Sequence, residues 1–316
     1  MYRNPVLPLI KTTSVETFTS DFGLKFRRLI NPIYRHVLQL AISSKVHIVE
    51  RYPLKKRTSY IFAATHSCIK NVIVNMAYID RSSYMLVGTT DQIDHNPQMY
   101  AAWLNGIIYV NRMDPNSRKV SLDKMERVLR SGSSVTIFPE GGWNNSENLL
   151  VQPLFASPWL LAQRTGCEIV PIALRHEYRA KDIYIKFGAP MNFAGIEKNV
   201  ALKTLRDALA TMAYDLMEEY GTPLKRSDLG EDCRIDFMEE RKNEYLLTKW
   251  SQDNWDEELT FYHDKKLPPS PLQVRASFDN VELTVHNALV IAPILKELEE
   301  DRKYDFTTYM HDNWQK

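Results

Sequence analysis

YIFAATHSCIKN, residues 60–71, opens as a strand and closes on a histidine and an asparagine five positions apart. The run from Tyr60 to Ala64 is short, apolar and aromatic, the pattern of a strand buried on both faces. His66 and Asn71 follow where the strand gives way to a helical pattern. Such a rim is either a catalytic position or only a strand-to-helix corner, with Thr65 or Ser67 as cap and the histidine half buried. The flanking sequence separates the two readings.

Working outward, five more segments share the strand character: YMLVG (84–88), IIYVN (107–111), SVTIF (134–138), EIVPIAL (168–174) and IYIKFG (183–188). Helical patterns lie between and after them. SRKVSLDKMERVLRSG (117–132) offers Ser117 as N-cap, Leu122, Met125, Val128 and Leu129 on one face, and Gly132 as the stop. SPWLLAQRTG (157–166) offers Ser157 as cap with Pro158 at the first helical position. Leu202, Leu205, Leu209, Met212 and Leu216 make the stripe of a longer helix ending near Gly221. The alternation predicts an α/β domain over 58–221, a mixed, largely parallel sheet covered by helices.

The flanks differ from this domain and from each other. Residues 1–57 read as a basic amphipathic helical region: Phe26, Leu29, Ile30, Ile33, Val37 and Ala41 recur at helical spacing, and Pro32 kinks or restarts the helix. Residues 25–57 carry nine Lys or Arg against the single acid Glu50, whereas 221–316 carry 13 basic and 20 acidic side chains. The expectation is a front end drawn to an anionic membrane surface, or else a helical layer whose basic face is solvated. Residues 222–316 read as an acidic, aromatic-rich, mainly helical extension, with LPPSP (267–271) as a turn or linker.

Three scattered cysteines show neither a metal-ligand spacing nor a disulfide framework, so a reducing compartment and no metal are expected. No secretory leader and no 18-residue apolar run are legible, which places any membrane role at the surface. Nothing points to nucleic acid.

Four pieces could carry chemistry. His66 with a polar residue five positions on fits a general base, one imidazole nitrogen held and the other free to take a hydroxyl proton. GIIYVNR (106–112) sets Arg112 at the end of a strand, where a guanidinium can grip a phosphate. SVTIFPEGG (134–142) ends a strand in a glycine-containing loop with a projecting carboxylate, Glu140. IVPIAL (169–174) puts Pro171 inside a buried strand, which implies an edge position or a bulge. Singly, each is equally a corner, a surface arginine, a turn or a bulge. His176-Glu177 reads as surface, and a His66–Cys68 dyad is disfavoured because neighbours at i and i+2 on a helix face different ways.

In this order the pieces resemble the glycerophosphate and lysophospholipid acyltransferase family. Its blocks His-x-x-x-x-Asp, Gly-x-x-Phe-Ile-x-Arg, Phe-Pro-Glu-Gly and a Val-Pro-Ile-like strand correspond here to HSCIKN, GIIYVNR, FPEG and IVPI, about 40, 32 and 31 residues apart. The resemblance implies transfer of a fatty acyl group from acyl-CoA or acyl carrier protein to the hydroxyl of a lysolipid acceptor, with no cofactor. It implies an enzyme peripheral on the cytoplasmic face of the membrane. His66 would be the base, Gly106 and Arg112 the acceptor's phosphate site, Phe138, Pro139, Glu140 and Gly141 the block holding its polar head, and Pro171 a support for the backing strand.

Two positions depart from the pattern. The family's aspartate is Asn71, a neutral amide that can orient a histidine but cannot stabilise its charged form. In the serine-protease arrangement an Asp→Asn change in that role lowers turnover about ten-thousand-fold. An amide can also offer its NH₂ in place of its oxygen and favour the other tautomer. The chain is therefore a slow enzyme, one rescued by another carboxylate, or a lipid- or carrier-binding relative that no longer catalyses. The second departure is Gly142-Trp143-Asn144 where the family often continues Thr-Arg-Ser, which predicts an aromatic surface in place of a cation.

Overall fold

The computed structural model describes residues 13–88, 98–112, 114–144, 149–176 and 180–222, together with 230, 236, 239, 240, 242 and 243. The C-terminal extension expected over 222–316 lies almost wholly outside the described residues.

The N-terminal elements are α1 (Val15–Phe18) and α2 (Asp21–Ala41), capped by Ser14 and Ser20. The sheet elements and their crossovers follow as β1 (Lys45–Arg51), β2 (Ile61–Ala64), α3 (Ile69–Tyr78), β3 (Ser83–Gly88), α4 (Gln98–Leu104), β4 (Ile107–Val110) and α5 (Pro115–Arg130). The chain continues through β5 (Ser134–Ile137), α6 (Ser157–Thr165), β6 (Ile169–Arg175), β7 (Asp182–Phe187) and α7 (Lys198–Tyr220). The strands form one seven-stranded sheet in the order β1-β7-β6-β2-β5-β3-β4. All neighbours are parallel except β6 and β7. The mixed, largely parallel α/β fold read from the sequence is the fold observed.

The strand alternation sorts side chains into two layers. Ile61 and Ala63 of β2 join Val135, Ile137 and Ile169 under α5, α6 and α7, where Met125, Val128, Leu129, Leu161, Leu205 and Leu209 close the core. Tyr60, Phe62 and Ala64 face the other way with Val170, Ile172, Ile183 and Phe187, covered by Val74 of α3. Because β2, β5 and β6 run parallel side by side, the residues after their C-terminal ends meet at one rim, where open α/β sheets bind ligands.

Several local expectations are corrected. Lys45–Arg51, read as part of the helical front end, is an edge strand paired parallel with β7. Its β-branched Val46, Ile48 and Val49 fit a half-buried pleat. The α2 helix runs through Pro32 without restarting. Ser117 is not a cap: Asp114 accepts from Asn116 N at 2.9 Å and begins α5, with Pro115 in the first turn. Ser157 is already helical, the cap being Ala156. Ala201, not Leu202, completes the buried stripe of α7.

Pro171 sits in β6, an interior strand between β7 and β2, not at an edge. The β6–β7 ladder begins at Ile172 with Phe187, and Pro171 O accepts from Gly188 N at 2.9 Å. The missing proline N–H therefore falls where the partner strand has ended, which is how an inner strand tolerates it.

The α2 helix buries its polar side. Arg27 is 7% exposed, donates Nη1 to Phe18 O at 2.7 Å and lies 4.2 Å over the Phe18 ring. Asn31 is buried and donates to Asn105 Oδ1 at 3.1 Å. The apolar stripe points outward, with Phe22 80%, Leu29 73% and Leu40 75% exposed. The layer expected to solvate a basic face instead solvates its apolar one, and Arg27 is turned away from any anionic surface.

Candidate functional site

His66 follows β2 and is fixed by backbone before its ring does anything. Its N–H donates to Glu140 Oε1 at 3.1 Å, and its carbonyl accepts from Asn144 N at 2.6 Å. The imidazole stacks on Phe138 at 4.1 Å between centroids and meets Trp143 edge-on at 6.1 Å. The residue is 8% exposed. Burial pulls its pKa down to about 3; the Asn71 side chain acts in the raising sense, and the nearby Arg112 charge adds to the lowering. The imidazole is neutral throughout the physiological range.

The helix does not begin at His66, as a one-turn contact with Asn71 would require. Its cap is Cys68, and Asn71 is the third helical residue. Asn71 Oδ1 accepts from Ser67 N at 2.7 Å, Cys68 N at 2.8 Å and Ser67 Oγ at 3.2 Å, the returning half of a capping box. Two atoms are left over: His66 Nδ1 and Asn71 Nδ2, each buried without a hydrogen-bond partner.

Glu140 hydrogen-bonds backbone on two sides of the site. It is fully buried, and its oxygens accept from His66 N and from Gln152 N at 2.9 Å, tying two loops together. Gly141 adopts φ +81°, and a Cβ there would lie 2.4 Å from Phe155, so the turn requires glycine. Pro139 O accepts from Phe155 N at 2.8 Å, which closes the same loop. Arg112 donates Nη1 to Gly141 O at 2.8 Å and thereby clamps the turn.

Gly106 is away from this rim. It precedes β4 while Arg112 follows it, so the two flank a strand that rises about 3.3 Å per residue. At φ +114°, with a would-be Cβ 2.7 Å from Tyr84, Gly106 serves packing. Pro171 likewise lies within the sheet. Trp143, expected as an exposed aromatic surface, is 2% exposed and serves as a wall that dries the imidazole.

A cavity of about 190 Å³ opens at the rim. Its polar lining includes His66, Ser67, Glu140, Arg175 and His176, and its apolar lining Leu149, Leu150, Leu174, Ala213 and Met217. Arg112 does not line it. Lys70 Nζ stands 2.7 Å from His176 Nε2. Arg175, which the sequence did not single out, and His176, read there as surface, thus share a cavity with His66. The signal that could have found them was their place at the C-terminal end of β6, which runs parallel to β2.

The acyltransferase family model matches residues 44–175, from one residue before β1 to the last residue of β6. A chloroplastic 1-acyl-sn-glycerol-3-phosphate acyltransferase of Brassica napus is 32% identical over 75 residues, 24% of this chain and 21% of the relative. The matched stretch therefore spans about a fifth of that relative's length. The crystal structure of the 1-acyl-sn-glycerophosphate acyltransferase PlsC from Thermotoga maritima aligns with a TM-score of 0.48 at 16% identity, over 60% of this chain and 81% of that one.

Proposed function

We propose that this chain, whose residues 44–175 match the acyltransferase family model, transfers a fatty acyl group from an acyl thioester to the hydroxyl of a lysolipid-type acceptor. The observation that carries the reading is the seating of His66. Its Nδ1 is buried, so Nε2 is the nitrogen left to meet a molecule in the adjoining cavity. In the reaction Nε2 takes the acceptor's hydroxyl proton as the oxygen attacks the thioester carbonyl. The C–O bond forms, the C–S bond breaks, and the proton passes to the departing sulfur. Acyl-CoA and acyl carrier protein both present such a thioester. The apolar side of the cavity suits a lipid chain, and the Arg175–His176 rim beside Lys70 suits a phosphate-bearing head.

Lipid substrates favour an interfacial enzyme, and the outward stripe of α2 supplies the apolar face, with exposed Lys25 and Arg28 beside it for anionic headgroups. No described helix is long and apolar enough to cross a membrane. A second reading, a lipid-binding relative with impaired transfer, is favoured by the engagement of Asn71 Oδ1 with Ser67 and Cys68.

Acyl transfer from both donors to a panel of lysolipids, with His66→Ala alongside, tests the proposal. Turnover abolished by His66→Ala supports it. Turnover unaffected by that substitution sinks it, and lipid binding without turnover moves the assignment to the second reading.

A further inference from the structure

We propose that the phosphate of the acceptor's head is bound from the β6 side of the cavity, by Lys70, Arg175 and His176, and not by Arg112. The inference rests on the functional reading above for the acceptor's being a lysolipid; the anion site itself stands on the geometry of the rim.

Strand order separates the two candidate positions. β6 is the immediate neighbour of β2, about 5 Å away, whereas β4, which Arg112 follows, is the third neighbour on the other side, about 14 Å away. The pairing of β2 with β6 also continues past the end of β2. Thr65 N donates to Ile172 O at 3.0 Å and Leu174 N donates to Thr65 Oγ1 at 3.1 Å. Arg175 and His176 are thereby brought up beside His66 and line its cavity. Arg112 is near enough for its charge to lower the His66 pKa, but its Nη1 holds Gly141 O at 2.8 Å and it does not line the cavity.

The β6 side gathers positive charge. Lys70 is the second residue of α3, and a cation in the first turn of a helix opposes the helix dipole. No acid accompanies it in that turn. Its Nζ lies 2.7 Å from Nε2 of His176, which is also 3.1 Å from Ala180 O. Arg175 is lodged against the end of α7, where a Cβ on Gly221 would come within 2.9 Å of its Nη2. Glu140, the acid in the cavity lining, has its oxygens on the backbone N–H groups of His66 and Gln152. The positive end of α3, a lysine and an arginine therefore converge on one rim, which suits the charge of a phosphate and its several acceptor oxygens. Lys70 and Arg175 are specificity-determining residues for the acceptor.

The pantetheine arm of the donor also carries a phosphate, and the test separates the two sources. Binding by the full chain is measured calorimetrically with three probes: a short-chain monoacylglycerol phosphate, the matching monoacylglycerol, and coenzyme A. Wild type should bind the phosphate-bearing lipid at least about tenfold more tightly than its phosphate-free match. Lys70→Met and Arg175→Met should each weaken that binding by about 10- to 100-fold and leave the other two probes unchanged. Absent or equal binding of the two lipids by wild type overturns the proposal, and so does a loss confined to coenzyme A, which assigns the cations to the donor. Lys70 is only half-buried, so its variant carries the test if Arg175→Met fails to fold. Phosphate-dependent binding that survives Lys70→Met and vanishes in folded Arg112→Met also overturns it and returns the site to Arg112. The expected binding pattern without turnover upholds the anion site and overturns the acyl-transfer reading.

Discussion

Two long helices of this protein carry apolar stripes and turn them in opposite directions. In α7 the stripe Ala201, Leu205, Leu209, Met212 and Leu216 is buried against the sheet. In α2 the stripe Phe22, Phe26, Leu29, Ile33, Val37 and Leu40 faces outward, and Leu24, Arg27 and Asn31 are the residues inside. Periodicity establishes that a helix has two faces. Which face is buried depends on what the neighbouring elements offer. The sheet and its helices offer α7 an apolar surface, whereas the Phe18 carbonyl and Asn105 offer α2 hydrogen-bond acceptors.

The difference can be broken by substitution. Leu209→Ala in α7 should cost about 2–5 kcal/mol by denaturant unfolding, the transfer term plus a cavity. A loss below 1 kcal/mol would mean that α7 is not part of the core. On α2 the polar side should be the sensitive one. Asn31→Ala strands the buried Asn105 Oδ1 and should cost about 1–3 kcal/mol.

The buried polar rim at His66 extends the comparison, because there burial acts on charge. An unfolded histidine gains its proton near pH 6.5, whereas folded His66 does so only near 3. Between these values the unfolded state binds the extra proton, so stability falls as pH falls. The contribution is about 2 kcal/mol between pH 7 and pH 5. Stability measured against pH for wild type and His66→Phe should show that difference; parallel curves would mean that the imidazole is hydrated. The smallest effect on stability belongs to the outward stripe. Leu29→Ser with Ile33→Ser should change stability by no more than about 0.5 kcal/mol per site. The same pair should lower flotation with anionic vesicles, and a large stability loss would show that the stripe is covered.

Much of the architecture was legible because each β2-like run and each capped helix announces itself locally. Six of the seven strands stand out as short apolar segments. The seventh, Lys45–Arg51, was hidden by its basic setting and by the helix before it. It is a strand because β7 offers it an edge, a fact that lies about 135 residues away along the chain. The site divides similarly. His66 and Arg112 end strands and reach the rim, and Phe138 and Gly141 shape it. Gly106 and Pro171, equally prominent in the motifs, serve packing and sheet continuity elsewhere.

The sequence by itself determined the α/β class, the order of the blocks and the substitution of an amide at position 71, because these depend on residue type and spacing. Only the tertiary structure decided that Glu140 ties backbone, that Trp143 is a buried wall, and that Arg175 and His176 share a cavity with His66. It also decided that the Asn71 oxygen is taken by the backbone at the start of α3. These outcomes depend on which donors and acceptors are brought together, and parallel strands bring together residues that are far apart in the chain.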